Sequence, residues 1–249
     1  MNNNFNVLWL NASPSLKHFD RPLIQYLSKY TTVALWEYKQ SKDEGSYLDK
    51  AIVLLYDFFK TYRRPVHLAG HGISGVVALV FARKYPKRVK SLTLISVAGQ
   101  PANTWHAHYY VQRQLFNLSQ DQVLASNVRS LFGSKPPYSM NRLIAALARD
   151  LEESPHPHSL FNLVNMSQGG VSMPMMVCGS KTDPVVNTPA LHHWRSMLKT
   201  NDIIWECSEG YHFFHYFYPE LVGDKMLSFW LNQQQGISIC DSSTSNSII

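Results

Sequence analysis

The residues with the clearest capacity for chemistry lie in one short stretch, Gly70-His71-Gly72-Ile73-Ser74-Gly75. An apolar run, Val66 to Ala69, leads into it, and a stretch with Val76, Val77, Leu79, Val80 and Phe81 on an apolar face leaves it. The pattern predicts a strand, a sharp turn and a helix. This is the outline of a nucleophile elbow, G-x-S-x-G, in which a strained turn presents a hydroxyl at the end of a strand. Glycine stands at position 72, where that hydroxyl belongs. Acyl transfer needs an oxygen or sulfur that a base can deprotonate, and glycine offers neither. A turn held at positive φ costs about 1–3 kcal/mol in a residue with a Cβ, a strain that glycine largely escapes. Ser74, two residues on in the first helical turn, is the alternative nucleophile, at a place where a small residue is normally needed for close approach. His71 reads as structural.

Other chemistry-bearing residues form weaker patterns. His106 and His108 are two apart, which on a helix points them to different faces, and His156 and His158 alternate with prolines. Neither pair makes a metal site, and no metal or cofactor is expected. Cys178, Cys207 and Cys240 are an odd number without ligand spacing, the first two inside apolar strand-like runs, so they read as buried thiols. Taken alone, an Asp in GSKTDP (Asp183) is a turn former. His212 and His215, among Phe213, Phe214 and Tyr216, are core or surface histidines on the same footing.

The elements that must position these residues follow from periodicity. Strands are predicted at Asn6 to Leu10, Thr32 to Tyr38, Ser91 to Val97, Met173 to Cys178 and Ile203 to Cys207, besides the one entering the elbow. Helices fall between them, at Pro22 to Tyr30 and at Ser46 to Tyr62, where Ser46 is the expected cap and Arg63-Arg64-Pro65 the stop. Later helices fall at Pro189 to Leu198 and Pro219 to Leu231. Alternation of this kind means a parallel sheet covered on both faces. Residues 100–172 break it: helical stretches at Trp105 to Phe116, Gln120 to Phe132 and Met140 to Glu152, rich in aromatics, contain no strand. They read as a helical insertion, either burying apolar residues on the sheet or roofing an apolar ligand cavity. The tail from Gly236 is polar and reads as disordered.

With 249 residues, 45% hydrophobic and 16% charged, the chain can bury the core of one globular domain. Its net charge of +6 is scattered, and the densest group (Arg83, Lys84, Lys87, Arg88, Lys90) reads as a solvated face rather than a nucleic-acid site. The N-terminal stretch has no basic region followed by a long apolar core, and nowhere do 18 consecutive apolar residues occur. A soluble cytoplasmic protein without a membrane span is the expectation.

The order of these elements together with GHGISG resembles the α/β-hydrolase superfamily over residues 5 to 232. In that family the elbow helix is followed by a YPxRV-like segment, here Tyr85-Pro86-Lys87-Arg88-Val89, and a strand like SLTLIS. A later strand ends G-x-x-D with the triad acid, matched by Gly179-Ser180-Lys181-Thr182-Asp183. The triad histidine precedes a Pro-Glu that opens the last helix, matched by His212 before Pro219-Glu220. The resemblance implies a mostly parallel sheet of about six strands, a core of residues 1–99 and 173–232, a helical cap at 100–172 and a tail at 233–249. It implies Asp183 as retained acid and His212 as retained base, with His215 the competing base. It also implies oxyanion donors at the amide of Ile73 and at Ala12 or Ser13, although Asn11-Ala12 stands where the family often has His-Gly.

Three functions compete on this footing. The first is a pseudoenzyme that binds a small apolar molecule under the cap, or a protein partner, without turnover. The second is an enzyme using His212 and Asp183 as general base on the substrate itself, in the manner of lyases or cofactor-free oxygenases. The third is a weak hydrolase using bound water or Ser74. The superfamily's first two strands lack counterparts, which leaves Thr32 to Tyr38 as an open edge for a homodimer or a partner protein.

Overall fold

In a computed structural model of the protein, residues 5–39, 45–62 and 64–241 are described, the side chains of 233–241 excepted. Six strands form one parallel sheet: β1 (Val7–Asn11), β2 (Val33–Glu37), β3 (Val66–His71), β4 (Val89–Ile95), β5 (Met175–Ser180) and β6 (Ile203–Cys207), in the order β2-β1-β3-β4-β5-β6. This is the α/β-hydrolase sheet that the sequence led us to expect. Strands β1, β3 and β5 are buried along their whole length, because helices cover both faces and unbroken apolar runs satisfy both. Leu8 pairs with Ala34 on one side and Leu68 on the other, while Leu92 pairs with Met175.

On the faces of the sheet lie α1 (Arg21–Leu27), α2 (Leu48–Lys60), α3 (Ile73–Lys84), and α4 (Trp105–Leu115), α5 (Gln120–Phe132) and α6 (Met140–Glu153) between β4 and β5. They are followed by α7 (Thr188–His192), α8 (Phe214–Phe217) and α9 (Pro219–Asp241). Helix α3 sits directly on the sheet, and all of its first residues through Leu79 are buried. Gly75 makes that approach possible: a Cβ there would stand 2.5 Å from Val97 Cγ2 and 2.8 Å from the Gly70 carbonyl oxygen.

The segment between β4 and β5 is bound to the core by polar clamps. Arg83 of α3 donates to the carbonyl oxygens of Ser167 and Gly169. Asp150, fully buried on α6, lies 2.9 Å from His106 Nε2 of α4 and accepts from Ser15 Oγ after β1.

Several local expectations differ from the structure. The N-cap of α2 is Tyr47 rather than Ser46, whose hydroxyl contacts Tyr38 Oη and the Glu153 carbonyl instead. Arg63, placed in the expected stop, lies outside the described residues. The helix expected to run to Leu198 ends at His192 and continues as a 3-10 helix to Met197. The backbone of α9 runs to Asp241, through part of the expected tail, and residues 242–249 lie outside the described residues. Within the basic group, Arg83 is no part of a solvated face: it is half-buried on its carbonyls, and Arg88 donates to the Tyr62 carbonyl. Cys178 and Cys207 are buried free thiols.

Candidate active site

Gly72 occupies the turn between β3 and α3 with φ 53° and ψ −124°, a conformation that side chains with a Cβ rarely adopt. The sequence brings the chain there because the last residue of β3 must reverse into a helix within one residue. A Cβ built on Gly72 would meet one neighbour, His212 Nε2, at 3.7 Å, an ordinary van der Waals distance.

His212 is held on every side. Its Nδ1 lies 2.9 Å from Asp183 Oδ2, its carbonyl accepts from His71 Nε2 at 3.0 Å and from Ser96 Oγ at 2.9 Å, and its amide donates to the Leu131 carbonyl. Tyr211 before it adopts φ 56°, which turns the chain back toward the sheet. Asp183, after β5, accepts with its other oxygen from the amides of Val185 and Val186 at 2.8 and 3.1 Å. Burial alone would raise the Asp183 carboxyl, but the charge and hydrogen bond of His212 and the two amides outweigh it and hold the carboxyl below its ordinary range. His212 Nε2 bonds to no described residue and faces the cavity over Gly72. The structure thus brings His212, Asp183 and Gly72 together.

The other candidate residues, Ile73 apart, are engaged in bonds elsewhere. His215, the competing base, bonds to Asp20 Oδ1 at 2.9 Å rather than to Asp183. Ser74 has no bond to His212; its Oγ accepts the Ala12 amide N–H at 2.8 Å. Ser13 donates its amide to Asn11 Oδ1 at 3.1 Å. Both expected donors of the first turn are therefore engaged within the protein. The amide of Ile73 opens α3 at the elbow. The cavity itself, lined by Ser13, Leu16, Gly72, Ser74, Trp105 and His212 among others, leaves about 20 Å³ to the centre of a water-sized sphere. That is room for about one water molecule.

Sequence reasoning missed the buried polar groups behind the site. Asp20 takes hydrogen bonds from Trp9 Nε1 at 2.9 Å and from His215, and burial pushes its carboxyl up to about 6. Metal-capable atoms of Asp20, His71 and His215 lie within 4.8 Å of one another, a grouping found nowhere else among the described residues. Each of the three is already engaged in the hydrogen bonds given above. Asp150, linked to His106 and Ser15, is raised by burial to about 7. No spacing signal marks either carboxylate, since Asp20 precedes a helix and Asp150 falls near a helix end, both ordinary solvent positions.

Solved structures of similar architecture are enzymes of this fold. A bacterial membrane phospholipase A aligns with TM-score 0.69 and 17% identity over 94% of this chain and 81% of that one. The meta-cleavage product hydrolase CumD of Pseudomonas fluorescens aligns with TM-score 0.67 and 12% identity over 91% and 90%. The carboxylesterase CesB of Bacillus subtilis aligns with TM-score 0.64 and 15% identity over 92% and 84%. Sequence similarity is far higher to a cyanobacterial protein: 55% identity over 230 residues, 92% of each chain, to the uncharacterized protein alr2406 of Nostoc. The chain belongs to the alr2406 family. The uncharacterized protein sll0249 of Synechocystis shares 34% identity with it over 228 residues, 92% of this chain and 91% of that one. No protein-family model matches the chain. The alr2406 family member described here thus carries the α/β-hydrolase fold, and no helix among its described residues is long and apolar enough to cross a membrane.

Proposed function

We propose that this protein is a pseudoenzyme of the α/β-hydrolase fold, in which glycine has taken the nucleophile's place and acyl transfer through a covalent intermediate is lost. One observation carries the reading: a side chain at position 72 would start 3.7 Å from His212 Nε2, and the residue there is glycine, with nothing to deprotonate. The bond from the Ala12 amide to Ser74 Oγ supports it, because an oxyanion would have to displace a neutral hydroxyl already seated on that donor. Retention of a matched acid and base is compatible with a binding role. The Asp183 carboxylate takes up two loop amides and the His212 ring at once, so the pair ties its two turns together whether or not it moves protons.

The cap role of residues 100–172 is part of this proposal, with α4 closing over the elbow through Trp105. The cavity's size favours a macromolecular partner over a small apolar ligand. β2 is a candidate contact: it pairs with β1 and with no other described strand, and Leu35 is 59% exposed. Light scattering on concentrated protein checks self-association there.

A second reading has a specific observation in its favour. His212 Nε2 opens onto space for one water, backed by a bonded carboxylate, which is the arrangement of a general base. Purified protein and His212→Ala, treated with a fluorophosphonate probe and a panel of acyl esters, separate the two. The pseudoenzyme should neither label nor turn over. Saturable turnover that disappears in His212→Ala would overturn the proposal and establish the second reading.

A further inference from the structure

A second recess lies at the opposite end of the strand that leads into the elbow. His67, four residues before His71 and so about 13 Å back along β3, lines it together with Phe5, Tyr62, Arg64 and Lys90, where β1, β3 and β4 begin. It leaves about 80 Å³ to the centre of a water-sized sphere, against about 20 Å³ over Gly72. That is room for roughly five waters or one small anion. One wall is fixed in place: the Phe5 and Tyr62 rings stack with centroids 4.1 Å apart, and Tyr62 Oη donates to the Phe5 carbonyl at 2.7 Å.

The lining is cationic and holds no Asp or Glu. Lys90 is half-buried on β4, and its ammonium forms no ion pair with a described residue. His67 is 3% exposed; its Nδ1 lies 2.7 Å from Ser91 Oγ and its ring stacks on Trp230, while Nε2 bonds to no described residue. The Ser91 hydroxyl can donate to Nδ1, which leaves the ring proton on Nε2. Burial and the Lys90 charge lower His67 to about 4, and no carboxylate offsets them. The backbone is shaped here as well. Val66 pairs with Val89 but His67 pairs with Ser91, so Lys90 has no partner in register. A bulge of this kind is rare between parallel strands, and bulges serve to re-aim side chains. In an unbroken register Lys90 would stand opposite His67; with the slip, Ser91 holds the imidazole and Lys90 is left to line the recess.

We propose that this recess binds a phosphate-class dianion, either inorganic phosphate or the phosphoryl group of a small phosphomonoester, held by the Lys90 ammonium, the Arg64 guanidinium and His67 Nε2–H. A tetrahedral oxyanion carries enough acceptor oxygens for three converging donors, whereas a carboxylate offers two. The site is separate from Gly72 and stands whether or not the elbow catalyses anything.

Titration of the full chain with inorganic phosphate, followed by the histidine ring resonances in NMR at an ionic strength held constant with chloride, tests it. In wild type the His67 resonances should shift saturably, with a dissociation constant of about 1 mM or tighter. Lys90→Gln, which keeps most of the stem, should weaken binding about tenfold or more, the worth of one charge-assisted hydrogen bond, and Lys90→Glu should abolish it. Lys87→Ala removes an exposed cation three residues away and should bind like wild type. Circular dichroism confirms that each variant is folded, and Lys90→Gln decides alone if Lys90→Glu is not. Methyl phosphate distinguishes the sources: tighter binding than inorganic phosphate assigns the recess to a phosphomonoester, and equal or weaker binding assigns it to the free anion. An unmoved His67, undiminished binding by Lys90→Gln, an equal loss in Lys87→Ala, or acetate binding as tightly as phosphate overturns the proposal.

Discussion

The amide N–H of Ala12 donates to Ser74 Oγ at 2.8 Å, across 62 residues of sequence. The hydroxyl thereby sits on a donor that an acyl-transfer enzyme would keep free for developing negative charge. Positions 72 and 74 would therefore bear on different halves of an acyl transfer.

A graded rescue follows from that geometry. Gly72→Ser fits sterically, since its Cβ would meet only His212 Nε2 at 3.7 Å, but it must accept φ 53°. Ester hydrolysis by Gly72→Ser should be slow, and Gly72→Ser/Ser74→Gly should exceed it by about 100-fold, the usual worth of one oxyanion donor. Steady-state kinetics on p-nitrophenyl esters measures the ratio. Equal rates would mean that Ser74 does not obstruct the site.

Asp183 should matter for stability even without catalysis. Asp183→Ala leaves the amides of Val185 and Val186 and His212 Nδ1 without their acceptor in a buried place. A loss of about 3 kcal/mol is expected in urea unfolding. A change below about 1 kcal/mol, the worth of a single ordinary hydrogen bond, would contradict the structural role given to the dyad.

Much of the architecture was legible in the sequence. The β3-turn-α3 unit could be placed because an apolar run, a glycine cluster and a helical stripe follow one another without interruption, and β6 fell where its β-formers put it. Contacts that depend on distant partners were not legible. Ser46 looked like a cap but spends its hydroxyl on Glu153 and Tyr38, and His215 competed with His212 as base although it bonds to Asp20. Asp20 and Asp150 gave no signal, since a carboxylate that will be buried is written like one that stays in water.

Stability should fall as the pH drops from 7.5 to 5. Burial lowers His67 to about 4, and lowers His156 and His215 to about 3, with neighbouring charged groups adding to it. For a group with a depressed folded pKa the unfolded chain binds the proton more readily, so each costs about 2 kcal/mol at pH 5 relative to neutrality. Asp20 and Asp150 act oppositely: with raised folded values of about 6 and about 7, their burial is least costly at low pH and grows worse as the pH rises. The histidines outnumber them, because His71 and His106 are also pushed well down by burial. Urea midpoints at pH 5, 6 and 7.5 check the direction, and a higher midpoint at pH 5 would refute it.

Gly75→Ala should destabilise by about 1–3 kcal/mol through overpacking. Its methyl group would fall 2.8 Å from the Gly70 carbonyl, backbone that cannot rotate aside. Thermal unfolding of the variant gives the value, and wild-type stability would show that α3 can lift from the sheet freely.

The insertion of α4, α5 and α6 between two neighbouring strands has a kinetic consequence. Leu92 of β4 and Met175 of β5 lie side by side in the sheet, yet the chain between them must be threaded out as three helices first. Strands β1 to β4 are contiguous and can assemble as soon as they are made, whereas β5 and β6 wait for a long loop to close. On the ribosome, the order of synthesis is then also the order of assembly. Until the final strands dock, the edge of β4 stays exposed to aggregation, a window that a chaperone would have to cover.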